Sequence, residues 1–400
     1  MITIRPMRRA DMDDYMALCR YCFWMTPEGS AVYGEWVRNF LDHAWVAVDQ
    51  SRLCAGLWYY PYQMRVGDSY LPMGGVAAVA TAPEHRNDGL AKMLMTRAHR
   101  QMRADGRALA VLMPFKHEFY ARMGYGDAFF HHDCLFAPEQ IARRDTRKYV
   151  LRPIDAEREW PLLERLHQEY GARYLGTVRR DALYWRVRYL RTANGIRQTY
   201  LVERGREPKG FIITNLGRDE ATLKLRLLVV QAVWSEAGAF DAILQFLRGH
   251  RDQVPKINWR MPPDVPLQAR LVDPQIEAVL KPKMMLKLVD FKGALEQRTY
   301  PNDLNGDVVF TLRADPTSPW NDGDWRVRWQ HGKARVSRAA DVRRFPNRAR
   351  ADVQTLAVLY SGRRSASDLA AAEDISLGGD APVLLSAAFP AATPYMDDWF

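Results

Sequence analysis

The chain has 400 residues, 48% of them hydrophobic, a formal net charge of +10 and four cysteines. That much apolar material can bury a large core and, at this length, build two or three domains, whereas Cys19, Cys22, Cys54 and Cys134 are too few for a disulfide framework. The basic residues are scattered from Arg5 to Arg364 with no basic tail or reading helix, which argues against nucleic acid. The absence of a signal-peptide core and of any run of about 18 apolar residues argues against secretion and a membrane span. The expectation is a soluble cytoplasmic protein whose basic surface draws in an anionic ligand.

Met1–Pro6 reads as a short strand, and Asp11–Phe23 as a helix with Met12, Tyr15, Met16, Cys19 and Phe23 on one face. The Cys19-x-x-Cys22 pair falls inside that helix with no second Cys/His pair nearby, so buried thiols are expected and no metal. Trp45–Val48, a turn at Asp49–Arg52 and Leu53–Tyr59 form a strand–turn–strand unit. The apolar run Gly75–Ala80 reads as a further strand. It leads through Thr81–His85 into Arg86-Asn87-Asp88-Gly89-Leu90-Ala91 and a helix with Ala91, Leu94, Met95, Ala98 and Met102 on one face. A strand that turns on glycine into a helix start offers backbone N–H groups and a positive dipole end to an anion. Gly89 allows close approach and Arg86 adds a fixed charge, an arrangement suited to a pyrophosphate. Taken alone, this R-x-x-G-x-A turn is read equally well as an ordinary strand-to-helix connection. Leu109–Met113 then reads as a buried strand, and Phe119-Tyr120-Ala121-Arg122-Met123-Gly124-Tyr125 follows it.

The second block, 146–285, echoes the first, 1–145. Tyr200–Glu203, a turn at Arg204–Lys209 and Gly210–Thr214 repeat the strand–turn–strand unit, and Leu223–Val230 takes the place of the Gly75–Ala80 strand. Gln231–Gly238 then brings no arginine–glycine turn before the helical Phe240–Arg248, so this copy is expected not to hold an anionic cofactor. The third block, 286–400, has strands at Gly306–Leu312, Trp325–Trp329 and Ala334–Val336. Helices are expected around Val353–Tyr360 and at Ala366–Ala372.

The two motifs, in this order and at this separation, resemble the Gcn5-related N-acetyltransferase (GNAT) fold. Its coenzyme A loop reads Q/R-x-x-G-x-G/A and its later helix F-Y-x-x-x-G-Y/F. The third block resembles a sterol-carrier-protein-like domain, with its interior expected to be filled by its own side chains rather than by a lipid. The whole layout is similar to the Eis-like (enhanced intracellular survival) family. That implies an α/β (α+β) protein of two GNAT-type folds in tandem followed by a sterol-carrier-like α+β domain.

The resemblance implies acetyl-CoA as acetyl donor, an amine acceptor such as an aminoglycoside, polyamine or lysine side chain, and a homo-hexamer. Carried over by motif, Ala78, Val79 and Ala80 match the strand that binds pantetheine and acetyl. Arg86, Asn87, Asp88, Gly89, Leu90 and Ala91 match the pyrophosphate loop, and Phe115 and Lys116 match a further cofactor contact. Tyr120 matches the general acid, with Tyr125 as the alternative, and Phe400 the residue whose terminal carboxylate is the base. Asp88 departs from the more basic loops of relatives and is expected to cost affinity unless it points outward. Trp399 and Phe400 read as anchors of the tail, with Asp397 and Asp398 able to attract a cationic acceptor. Phe23, Trp24 and Trp36 are read as the wall of an acceptor pocket, or equally as core. The competing reading is an acetyl-CoA-sensing lipid-binding or scaffolding protein.

Overall fold

The computed structural model describes residues 2–190, 195–218, 224–398 and 400; Leu223 and Trp399 lie outside the described residues. Contacts group the chain into two compact units. Unit 1 comprises Met1–Phe129, Tyr174–Val178 and Pro282–Phe400, and unit 2 comprises Phe130–Arg173 and Arg179–Lys281.

Unit 1 opens with β1 (Ile2–Pro6), α1 (Met12–Phe23), α2 (Pro27–Arg38), β2 (Ala44–Asp49), β3 (Arg52–Val66) and β4 (Ser69–Thr81). It continues with α3 (Leu90–Ala104), β5 (Leu109–Leu112) and α4 (His117–Ala121). The start of α2 is set locally: Thr26 accepts a hydrogen bond from Gly29 N, and Pro27 occupies the first helical position. β1 to β4 pair antiparallel in chain order, and β5 adds parallel to β4 because α3 crosses over between them. The buried face of α3 (Leu90, Leu94, Met95, Ala98, Met102) packs in one cluster with Ala47, Leu57, Tyr59, Val76 and Leu112.

Unit 2 holds most of β6 (Gly126–Phe136), then β7 (Tyr149–Pro153), α5 (Ala156–Gly171), α6 (Ala182–Tyr184), β8 (Ile196–Arg204) and β9 (Glu207–Arg218). β10 (Leu225–Trp234), α7 (Ala237–Arg248), β11 (Lys256–Met261) and the first residues of β12 (Glu277–Leu288) complete it. Its strand order is β6-β11-β10-β9-β8-β7, with only β10 and β11 parallel. The apolar face of α7 (Phe240, Ile243, Leu244, Leu247) packs on Val229, Ile257 and Trp259.

The chain returns to unit 1 within β12, whose Met285–Leu288 pair with β5. The expected boundary between 285 and 286 therefore falls inside a strand. There follow α8 (Phe291–Gln297), β13 (Gly306–Leu312), β14 (Gly323–Gln330), β15 (Lys333–Arg338), β16 (Arg348–Ala351), α9 (Val353–Ser361), α10 (Ala366–Ala371), β17 (Ile375–Gly378) and α11 (Ala381–Ala388). These five strands form a separate sheet, β15-β14-β13-β16-β17. Arg298, 7% exposed, donates to Tyr360 O at 2.5 Å and stacks against Tyr360 and Phe389 at 4.8 and 5.0 Å.

Candidate active site

The apolar run that ends β4 does not form a regular strand. Gly56 faces Ala80 but Trp58 faces Ala77, so Ala78 and Val79 together oppose Leu57, a β-bulge. Ala78 takes a left-handed φ of 45°, and its carbonyl accepts a 2.7 Å hydrogen bond from the buried Tyr15 hydroxyl on α1. On the other edge, pairing with β5 ends at Val76 and Leu112 while β4 runs on to Thr81. Past that point the β5-side backbone groups of Ala78–Ala80 take no bond from β5. Backbone polar groups at such an opening are available to an extended ligand carrying amides of its own.

The loop after β4 turns twice through left-handed backbone, at Asn87 (φ 74°) and Gly89 (φ 78°). Gly89 caps α3 with no side chain, so the N–H groups of Leu90, Ala91 and Lys92 face out of the helix with no cap bond among the described residues. Arg86, Asn87, Asp88 and Gly89 are exposed, Ala91 is half-buried and Leu90 is buried beneath them. The Asp88 carboxylate lies 3.2 Å from His85 Nδ1 in the same loop, which draws it back onto its own turn. An open strand edge, an arginine and a helix start thus follow one another in sequence along β4 and α3.

Tyr120 sits on the single turn of α4 and is 3% exposed. It is ringed by Phe115, Phe119 and Tyr125, with centroids 5.5, 5.1 and 6.2 Å away. Burial raises its pKa above the usual tyrosine value. Its hydroxyl has no protein hydrogen-bond partner among the described residues. The Tyr125 hydroxyl, by contrast, is engaged with His99 Nε2 at 2.8 Å. Phe115 is 69% exposed and Lys116 is exposed, with its ammonium 3.7 Å from Glu118.

Phe400 is 7% exposed, its ring 5.2 Å from that of Tyr62. A Cβ added at Gly75, three residues before the bulge, would lie 2.6 Å from Tyr62 Cε2 and 3.0 Å from Phe400 Cε2. The last residue of the chain is therefore packed against β4 itself. Tyr62 continues into an aromatic row, 4.2 Å to Tyr60 and from there 5.3 Å to Trp36. Trp36 is fully buried and enclosed by Tyr33, Trp58 and Tyr60, the core alternative of its two readings, and backs the row from inside. Phe23 and Trp24 are 42% and 94% exposed at the end of α1. Asp397 and Asp398 are also corrected as lures for a cationic acceptor. Asp397 is paired with Lys283 at 3.3 Å, and Asp398 is fully buried.

Three residues that matter here were not singled out from the sequence. Tyr15 counted only as helix core, though a buried tyrosine must place its hydroxyl, and that requirement was the available signal. Tyr62 and Lys283 carried none, because their partners Phe400 and Asp397 lie far along the chain, 114 residues away in the case of Lys283. Among the cysteines, burial pushes the Cys19 thiol up to about 12, which keeps it protonated.

Unit 2 repeats the bulge: the register of β10 on β9 shifts between Val229 and Gln231, just where its pairing with β11 ends. The helix start that follows is different. Glu236 is the N-cap of α7 and accepts a 2.7 Å hydrogen bond from the Tyr149 hydroxyl, and a Cβ at Gly238 would lie 2.3 Å from that same hydroxyl. A carboxylate and a phenol ring cover the first turn that in unit 1 lies open.

Comparison with known proteins matches residues 3–128 and 176–288 to models of the acetyltransferase (GNAT) domain and residues 291–397 to a sterol carrier protein domain. The N-acetyltransferase Eis of Mycobacterium tuberculosis is 25% identical over 349 residues, covering 82% of this chain and 80% of its own. An uncharacterized N-acetyltransferase of Streptomyces coelicolor is 25% identical over 367 residues, covering 84% and 85%. Among solved structures, a GCN5-related N-acetyltransferase from Anabaena variabilis superposes with a TM-score of 0.88 at 22% identity, covering all of both chains. Eis1 from Mycobacterium abscessus does so with a TM-score of 0.79 at 23% identity, again over all of both chains.

Proposed function

The chain belongs to the Eis-like GNAT N-acetyltransferases, and we propose that it transfers acetyl from acetyl-CoA directly to amino groups of polycationic acceptors: aminoglycosides, polyamines or lysine side chains. The observation that carries the reading is the opening of β4. A bulge pinned by Tyr15, a strand edge whose pairing with β5 ends at Val76, and an α3 start behind Gly89 with no side-chain cap follow one another along the chain. These groups fit a thioester donor. Ala78, Val79 and Ala80 offer backbone to the pantetheine arm, and Arg86 through Ala91 offer N–H groups and charge to the pyrophosphate. Phe115 and Lys116 border the arm on the β5 side.

The chemistry needs two proton positions. The acceptor nitrogen attacks the thioester carbon with its lone pair, and its proton passes to the Phe400 terminal carboxylate. The carbon–sulfur bond breaks, and the thiolate takes a proton from the Tyr120 hydroxyl, which burial keeps protonated and which no protein group claims. The second GNAT copy holds no donor in this reading, since Glu236 and Tyr149 cover its helix start. The three-block layout, cytoplasmic location and hexameric assembly belong to the same proposal.

Calorimetry with acetyl-CoA, followed by release of free CoA on adding a panel of polyamines, aminoglycosides and lysine-rich peptides, tests it. Binding together with release is expected. Binding without release from any amine would favour a sensor over an enzyme, and absence of binding by folded protein would remove the assignment of the β4 opening.

A further inference from the structure

The tail that ends in Phe400 is fixed by contacts distant in sequence. Pro394, Tyr395, Met396 and Asp398 are buried. Tyr395 N donates to Leu175 O at 3.0 Å, and its ring lies 5.4 Å from that of Tyr174. The short segment Tyr174–Val178 is itself tied to β3: Arg65 N donates to Thr177 O at 2.7 Å, Gly176 N donates to Arg65 O at 3.0 Å, and Val178 bridges Met64. This strap joins β3 to the tail. The second fixture is Lys283 on β12. Its ammonium donates to the main-chain oxygen of Asp397 at 2.6 Å and to Asp397 Oδ1 at 3.3 Å, with side chains only 8% and 13% exposed. A lysine that covered loses hydration and rotamer freedom, so it stays only where its donors are used.

We propose that Lys283 is a positioning residue for the chain terminus. By holding Asp397 through its main-chain oxygen, it fixes the point from which the last three residues run and so delivers the terminal carboxylate beside β4. The inference rests on the reading of that carboxylate as the base. Asp398 and Phe400 are buried further along the tail, so Lys283 sets where the tail turns before them, and a base that wanders even about 1 Å from its working position loses about 100-fold in rate. Asp397 supplies the ion pair, but the shorter bond is to its backbone, so the direction of the chain is what Lys283 sets.

The test is a double-variant cycle on the full-length protein, combining Lys283→Met with a two-glycine extension beyond Phe400. Lys283→Met alone should lower kcat about 10-fold or more, with acetyl-CoA affinity within about twofold of the parent, because the cofactor cradle is untouched. In the extended chain, where the carboxylate is already displaced, adding Lys283→Met should cost nothing further. Two losses that multiply, or full kcat in Lys283→Met beside a strong loss in the extension, would overturn the role of Lys283 while leaving the base in place. Full activity in the extended chain would instead remove the base itself, and the role of Lys283 with it. Should Lys283→Met fail to fold, Lys283→Gln keeps an N–H donor for Asp397 O and carries the same cycle with a smaller expected loss.

Discussion

Tyr120 and Tyr125 are five residues apart on one turn of chain, and both are buried, yet their hydroxyls differ in what they can still do. That of Tyr125 is spent on His99 inside a closed polar cluster. The Tyr120 ring packs among aromatic neighbours, and among the described residues its hydroxyl has no protein acceptor. A donor left unpaired in low dielectric gains most from a negative charge that forms beside it. Tyr120→Phe should therefore lower kcat about 100-fold with acetyl-CoA affinity unchanged, as measured by thiol release and calorimetry. The pH profile follows from the same burial. A raised phenol pKa means the acid form persists as pH climbs and is lost only above the ordinary tyrosine range near ~10. The alkaline limb of kcat should accordingly be absent below about pH 10. A limb near neutrality that survives in Tyr120→Phe would belong to another group.

Strand β4 and its echo β10 show how the same element can be kept or closed. Both carry a bulge where their parallel neighbour lets go. The difference lies in the turn that follows. Neither Gly89 nor Glu236 makes a side-chain cap bond, but Glu236, paired with Arg204 at 3.2 Å, places a carboxylate at the head of α7 under the Tyr149 ring. Negative charge at a helix start is favourable to the helix and hostile to a phosphate. Calorimetry should give one acetyl-CoA per chain, and Arg86→Ala should weaken it severalfold without changing that number. A stoichiometry of two would mean that Tyr149 swings aside. β1–β5, α1 and α3 of the first copy and β8–β10 and α7 of the second were legible from periodicity, as were the loop and the F-Y-x-x-x-G-Y turn, because they are local patterns, whereas α2, β6, β7, α5, α6 and β11 were not read. The bulge at Ala78 was not, since what pins it is a hydroxyl 63 residues away on α1. Nor was the burial of Trp36, which depends on Trp58 and Tyr60 of β3 as well as on Tyr33 of its own helix.

The sterol-carrier-like block looked separable in sequence, but in unit 1 it shares a buried polar cluster with the acetyltransferase elements. Lys287 and Asp315 pair at 2.6 Å with side chains 1% and 0% exposed. Asp315 also accepts from Ser318 N at 2.9 Å and Asn321 Nδ2 at 3.0 Å, so its oxygens are well satisfied. From there the cluster reaches the segment after Tyr120: Thr317 Oγ1 donates to Met123 O at 2.8 Å and lies 3.1 Å from His99 Nδ1. No local pattern marks such a cluster, because its members come from α3, β12 and a loop near 315–321 and meet only in the fold. Burial lowers the Lys287 pKa, while Asp315 opposes that shift, so the cation depends on its partner. Replacing one member of a buried pair strands the other, at a cost of roughly 3–5 kcal/mol, whereas replacing both with apolar or neutral groups is often nearly neutral. Lys287→Met should thus lower the urea midpoint strongly, and Lys287→Met with Asp315→Asn should recover most of it. Because Thr317 also holds the turn that follows Tyr120, the single variant should lose turnover at urea concentrations below its unfolding transition, and the double variant should regain it. A single variant as stable as the parent would mean that the cluster is not what joins the two blocks.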